Sequence, residues 1–385
     1  MVRRRIGVLL LGCLPLAALA QAAATTRQPG PASAPAATPA PRFGDEIAVR
    51  LVTVVVRVVD GAGDPVLGLA PKDFRVRVGR RGVPVAAVDW VASGEAAGGT
   101  REAPEAAAAT APVGPAPAAS PTALPREAAP EPPPHGAPGK LVVIFVQADN
   151  NAPSRVRGHL RTLPFTRELL ASLQPEDGVA VVSFDSHLKL WQDFTRDREP
   201  VPAVIYQAIH FGGRPPEPSA AAAASPSLAR HFDGREALRA ASPERALAVT
   251  AEALAALPGE KVLVLLGWGL GNFSSMGTQM TPAFAPAVRA LAAARTTVFA
   301  LDVTEADSHD LEVGLRGIAE ATGGTYDKTN LFPALAIRQL ARTISGYYVL
   351  SLDSASLPRT GGRVEVELRR RQGAVLLRPL SLPAG

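Results

Sequence analysis

Cysteine is nearly missing from this chain: Cys13 is the only one in 385 residues. An internal disulfide and a zinc site built on several thiolates are therefore excluded. Aromatic residues are sparse, at 5% of the sequence, and do not interleave with basic ones. That removes the stacking platform on which single-stranded nucleic acids bind. No long block of Lys or Arg occurs, and Arg369-Arg370-Arg371 reads as part of a solvated strand. No apolar run approaches the ~20 residues that a membrane-spanning helix needs. Catalytic signatures are missing too. There is no G-x-S-x-G elbow, and His135, His159, His187, His210, His231 and His309 form no H-E-x-x-H pair. Gly267-Trp268-Gly269-Leu270-Gly271 follows an apolar run, but its third glycine comes one residue too early for a dinucleotide loop.

What is present begins at residue 1. Met1 to Arg5 is basic, Ile6 to Leu16 is apolar, and Ala18-Leu19-Ala20 is a small-x-small cleavage signal. Residues 1–20 read as a signal peptide cut before Gln21, which directs the mature chain to the periplasm or outside the cell. Two other readings are an uncleaved amphipathic N-terminus and a lipoprotein anchored at Cys13, since Leu10-Leu11-Gly12-Cys13 is lipobox-like. Cleavage would remove Cys13, and the loss of Arg3, Arg4 and Arg5 would lower the formal charge from +5 to +2. The basic balance then says little about nucleic acid.

Composition divides the remainder. Residues 21–44 and 93–138 are rich in Ala and Pro and poor in large apolar side chains. They read as disordered linkers, because too little apolar surface is available to offset ordering. Residues 212–241 are a third candidate linker, although their alanines favour helix. Between the first two linkers, residues 45–92 carry β grammar: the β-branched run Val49–Val59, the alternation of Phe74, Val76 and Val78 with arginines, and a strand pair ending near Trp90. From residue 139 to 346, buried strands alternate with helices. The strands are Leu141–Val146, Gly178–Phe184, Leu188–Trp191, Val262–Leu266 and Thr297–Leu301. Pro153–Leu173 reads as a helix kinked or split at Pro164. Ser242-Pro243 starts a further helix, and Gly323 ends another. Such alternation implies a doubly wound, mostly parallel α/β sheet. Residues 347–381 return to β, with too few strands to stand alone. Their natural partners are the N-terminal strands, which suggests a small β-sandwich interrupted by the α/β unit. The competing reading is two unrelated β pieces.

Several phrases in this order resemble a bacterial, exported branch of the von Willebrand factor type A family. They are Asp73-Phe74-Arg75-Val76, Pro175 to Phe184, Lys261 to Leu266, Ala319 to Gly324 and Tyr347 to Leu350. The resemblance implies a von Willebrand A-like fold that binds proteins through a metal-ion-dependent adhesion site. In that site an Asp-x-Ser-x-Ser loop, a threonine and a later aspartate cage magnesium with oxygen ligands. This chain departs from the pattern. Aligned by strand ends, its loop is Gln147-Ala148-Asp149-Asn150-Asn151, and the later aspartate position holds Trp268. A slipped register makes Asp149 the first acid. The adhesion site is therefore read as degenerate, with Asp149 and Asn151 as weak ligand candidates and Mg or Mn as the ions to test. The reading preferred to metal binding is that these polar residues cap the following helix.

The expectation is an exported, non-enzymatic protein-binding or adhesion-type module without cofactor or catalytic residues. Its partner would be another protein. Recognition is expected at the C-terminal edge of the sheet, through Trp268, Phe273, Asp149, Asn150 and Asn151, with residues 212–241 as an additional candidate surface. Indole burial in place of a metal is the rival account of Trp268. Metal-dependent adhesion and an enzyme on a doubly wound sheet are the alternative functions. Asp149, Asp185 and Asp302 each follow a strand and are expected along one edge.

Overall fold

The computed structural model describes residues 51–92, 139–149, 151–210, 226–275, 277–369 and 373–377, and the backbone alone of 381–382. The expected signal peptide with Cys13, the two Ala/Pro-rich linkers and Asn150 lie outside the described residues.

The centre is a mixed α/β unit. Strands β5 (Leu141–Gln147), β6 (Gly178–Phe184), β8 (Lys261–Gly267) and β11 (Thr296–Asp302) are buried along their whole length. Unbroken apolar runs suit this position, because both sheet faces are covered. With the shorter β12 (Tyr326–Lys328) and β7 (Leu188–Thr195) they form one sheet in the order β12-β11-β8-β5-β6-β7. All neighbours run parallel except β7, which is antiparallel to β6. Successive side chains alternate between the faces. Val143, Phe145, Leu263 and Leu265 meet α4 (Pro243–Ala255), α5 (Phe284–Ala293) and α6 (Glu312–Thr322). Val142, Ile144, Val264 and Leu266 meet α1 (Pro153–Ala171), α2 (Val201–His210) and α7 (Pro333–Thr343).

Local signals place several boundaries. Ser242 caps α4 by accepting from the Arg245 N–H, with Pro243 in the first turn. Gly323 ends α6 in the left-handed conformation, at φ 76°. Helix α1 is a single element that runs through Pro164, so of the two outcomes expected there the split does not occur. The 212–241 segment needs a correction. Residues 211–225 are outside the described set, but 226–241 are built into the fold. Asp193 accepts hydrogen bonds from Ser227 Oγ at 2.6 Å and from the Leu228 N–H at 2.6 Å, and α3 (Gly234–Arg239) follows. Leu228 and Ala240 are fully buried.

Apart from a two-stranded hairpin, the remaining strands form two four-stranded sheets. One has the order β15 (Ala374–Leu377), β1 (Leu51–Val59), β13 (Gly346–Asp353), β4 (Val85–Ala92). The other is β16 (Ser381–Leu382), β14 (Gly362–Leu368), β2 (Phe74–Val78), β3 (Arg81–Val83). Val54, Val56, Phe74, Val76, Leu350 and Val364, drawn from both sheets, share one apolar core. At its centre the Tyr348 ring packs edge-on against Trp90 and Phe74, at centroid distances of 4.9 and 5.8 Å.

Candidate functional site

The C-terminal ends of β5, β8 and β11 lie side by side, and the loops that leave them meet there. Gln147, the last residue of β5, is wholly buried. Its Nε2 donates to the Gly269 carbonyl at 2.7 Å. Its Oε1 accepts from the Trp268 N–H at 3.0 Å and the Gly269 N–H at 3.3 Å. A neutral amide can do both; a carboxylate could not donate. The side chain thus pins the loop after β8 directly to the end of β5.

Asp149 does not face an open ligand position. It makes an ion pair with Arg155 and accepts from the Asn151 N–H at 2.9 Å. It does not cap α1 either. The N-cap there is Ala152, and among the described residues neither Asp149 nor Asn151 supplies the side-chain cap expected of this loop. Magnesium requires a near-octahedral set of oxygen ligands. Here the Gln147 oxygen serves two N–H groups, Asp149 serves Arg155, and Trp268 contributes an indole. This donor set does not fit the oxygen cage.

Trp268 is half-buried and packs on the core shared by α1 and the sheet. The Arg155 guanidinium lies 3.4 Å from the centre of its ring, a stacked cation–π contact. Among the described residues the buried indole N–H has no hydrogen-bond partner. Trp268 therefore fills space beneath Arg155 and also borders the outside. With Arg155, Phe273, Glu305, His309 and Leu311 it lines an open groove of about 500 Å³. Phe273 sits on the hairpin β9 (Asn272–Ser274)–β10 (Gly277–Gln279), with 67% of its surface exposed. The hairpin is tied to the next loop by Thr278 Oγ1, which donates to the Asp310 carbonyl at 2.7 Å.

The three strand-end aspartates share this edge, but each has its own side-chain partner. Asp185 binds Lys189 Nζ at 2.7 Å, and Asp302 binds His309 Nε2 at 2.8 Å. Asp302, His309 and Glu312 bring three donor atoms within 4.8 Å of one another. The network around them is closed by protein groups. The Tyr326 hydroxyl donates to Asp302 at 2.7 Å, and Lys328 Nζ lies 2.6 Å from Glu312. Burial works to raise the Asp302 carboxyl, but bonds from His309, the Thr304 N–H and Tyr326 outweigh it and hold it below its usual range. The hydrogen bond from Lys328 likewise lowers Glu312. A metal at this point would have to displace Lys328.

Sequence reasoning missed a further feature of this edge. Leu331 and Phe332, after β12, are 70% and 66% exposed, and Leu335 follows in the first turn of α7. Met280 and Val313 are also exposed, in segments leaving β10 and entering α6. With Phe273, most of the large apolar side chains exposed among the described residues lie in connections at the C-terminal edge of β8, β11 and β12. The available signal was the Leu331-Phe332-Pro333 run at a helix start, where a solvated loop would carry polar residues. By contrast, the described part of 212–241 is anchored on Asp193, near the far end of β7. There β7 pairs with the beginning of β6, at the opposite edge of the sheet. Residues 227–229 are thus held at that opposite edge, and the chain then returns through α3 to the start of α4, where Glu244 accepts from the Gly271 N–H at 2.7 Å beside the loop after β8.

No family model matches the chain, and no curated protein matches it. Similar solved structures include the PilB minor pilin from Streptococcus sanguinis, with 13% identity and a TM-score of 0.35. That match covers 55% of this chain and 63% of the pilin, less than two thirds of its length. A von Willebrand factor type A protein from Catenulispora acidiphila has 14% identity and a TM-score of 0.37 over 64% of this chain and 66% of that one. BatB from Bacteroides thetaiotaomicron has 14% identity and a TM-score of 0.34 over 54% of this chain and 98% of that one. No helix among the described residues is long and apolar enough to cross a membrane.

Proposed function

We propose that the chain is an exported, non-enzymatic protein-interaction module: a von Willebrand A-like domain inserted into a small β-sandwich, binding its partner without a metal. The observation that carries this reading is the concentration of exposed Phe273, Leu331, Phe332 and Leu335 at the C-terminal edge of the sheet. Large apolar side chains left exposed and gathered at one edge of a sheet are the raw material of interaction sites. The Gln147 amide supports metal independence, because it closes the edge with direct hydrogen bonds. Export rests on the basic, apolar and small-residue order of residues 1–20.

The test has two arms. A photo-crosslinking residue replaces Phe273 or Phe332 in the producing cell, and a third variant carries it at Leu238, exposed on α3. Discrete protein adducts from 273 and 332 and none from 238 are expected. An absence of adducts at both edge positions would count against the reading. In the second arm, thermal unfolding is compared in EDTA and in millimolar magnesium or manganese. A ligand that binds only the folded state raises its stability. No shift is expected, and a reproducible rise in melting temperature would restore the metal-dependent alternative.

A further inference from the structure

The outer face of the second β-sheet carries a surface of different chemistry. Arg75 and Arg77 on β2, Arg80 in the β2–β3 turn and Arg369 just beyond β14 line an open groove of about 540 Å³. The antiparallel register sets Glu365 opposite Arg77 and Glu367 opposite Arg75. These pairs are loose, at 4.0 and 3.9 Å, and their side chains are about half exposed. Such pairs hold the arginines weakly. Among the described residues, Arg80 and Arg369 pair with no carboxylate. Four guanidinium groups thus face two carboxylates.

The geometry specifies what is missing. On the other flank of Arg77 the register places Gly82 of β3. Arg77 therefore has a carboxylate on one side and no side chain on the other. A Cβ added at Gly82 would meet nothing within 4 Å. Arg75 and Arg77 are two residues apart on one strand, so they repeat at ~6.4–6.8 Å along one face. A guanidinium presents a planar fork that a carboxylate fills with two hydrogen bonds.

We propose that this groove docks an extended, acidic segment of a partner protein. Carboxylates at alternate positions meet Arg75 and Arg77, and one of them lies over Gly82 to complete a Glu365–Arg77–carboxylate row. The alternation of Arg and Glu already built across β14 and β2 favours carboxylates at strand spacing over phosphates. This surface belongs to a different sheet from the apolar edge, and its test does not depend on that edge.

The probe is a fluorescein-labelled peptide of four Glu-Ser repeats, titrated with the full chain and followed by anisotropy at low salt. Saturable binding that weakens with added salt is expected. Arg77→Ala should weaken it about tenfold, the scale of one charge-assisted bidentate contact. Gly82→Glu should abolish it while leaving the melting temperature unchanged, since the new side chain enters open space and supplies its own carboxylate. If Gly82→Glu lowers the melting temperature, Arg80→Ala in the exposed turn carries the same comparison. Inorganic polyphosphate and phosphatidylcholine vesicles containing phosphatidylglycerol form the other arms. Absence of peptide binding would overturn the proposal, as would peptide binding indifferent to these substitutions. Tighter arginine-dependent binding of polyphosphate or vesicles than of the peptide would also overturn it.

Discussion

Two buried polar side chains, Gln147 and His159, organise the apolar edge. His159 on α1 is 1% exposed, and its Nε2 lies 2.9 Å from the Gln147 carbonyl oxygen. With that nitrogen donating, Nδ1 is left as a buried acceptor with no partner among the described residues. Burial pushes the imidazole down to about 4. Between that value and the ordinary 6.5, the unfolded chain binds the proton and the folded chain does not. The stability tied to His159 is therefore fully present above about pH 6.5 and is lost as pH falls toward 4, on the order of 3 kcal/mol in all. Urea unfolding at pH 7 and pH 4.5 should show a smaller loss in His159→Gln than in the parent. Equal losses would refute the assignment. The sequence pointed to Gln147 and Trp268 as departures from a metal cage. It could not show how they compensate, because the bonds from Gln147 to the 268–269 backbone join positions about 120 residues apart.

Elements were legible where the signal sits within a few residues. Ser242-Pro243 and Gly323 act through their own backbone neighbourhood, and both mark helix ends as read. The split foreseen at Pro164 does not occur, because packing decides it: α1 lies on the sheet beside α7, with Leu169 and Leu170 buried. The anchoring of residues 226–241 on Asp193 was equally hidden, since no short-range pattern announces a cap that arrives 34 residues later. The start of α1 has the opposite character, a local position left unused. Ala152 has extended backbone, at φ −118° and ψ 96°, and no side-chain oxygen to accept from the first turn. Ala152→Ser should add a cap bond and raise stability by about 0.5–1 kcal/mol. The check is a chemical-denaturation midpoint that moves upward with an unchanged slope. An unchanged midpoint would mean that the serine oxygen does not reach the orphan N–H groups.

At the scale of the molecule, the alternation of buried runs and helices was enough to infer the mixed α/β sheet, because period and burial are written in consecutive residues. Strand partners were harder to read, since pairing depends on the distant ends of the chain. In the structure β13 is hydrogen-bonded between β1 and β4: Leu51 to Val56 face Asp353 to Tyr348, and Tyr347 to Leu350 face Val91 to Val88. β2 pairs with β14 in the other sheet. Residues 51–92 thus depend on strands that follow the α/β unit for both their hydrogen bonds and their core. A polar seam adds to this, with Arg57 of β1 ion-paired to Glu260 before β8 and Arg342 of α7 2.7 Å from Asp64. Continuity of the chain between residues 92 and 139 contributes none of these contacts. Residues 45–92 and 139–385, produced as two separate chains in one cell, should therefore co-purify and unfold in one transition. Removing residues 346–385 from the second chain should abolish the association, because it leaves β1 and β4 without the strand between them and exposes Val54, Val56 and Phe74. Two intact chains that elute separately would show that the β strands do not form one cooperative body, whereas association that survives the truncation would place the main contact on the α/β unit instead.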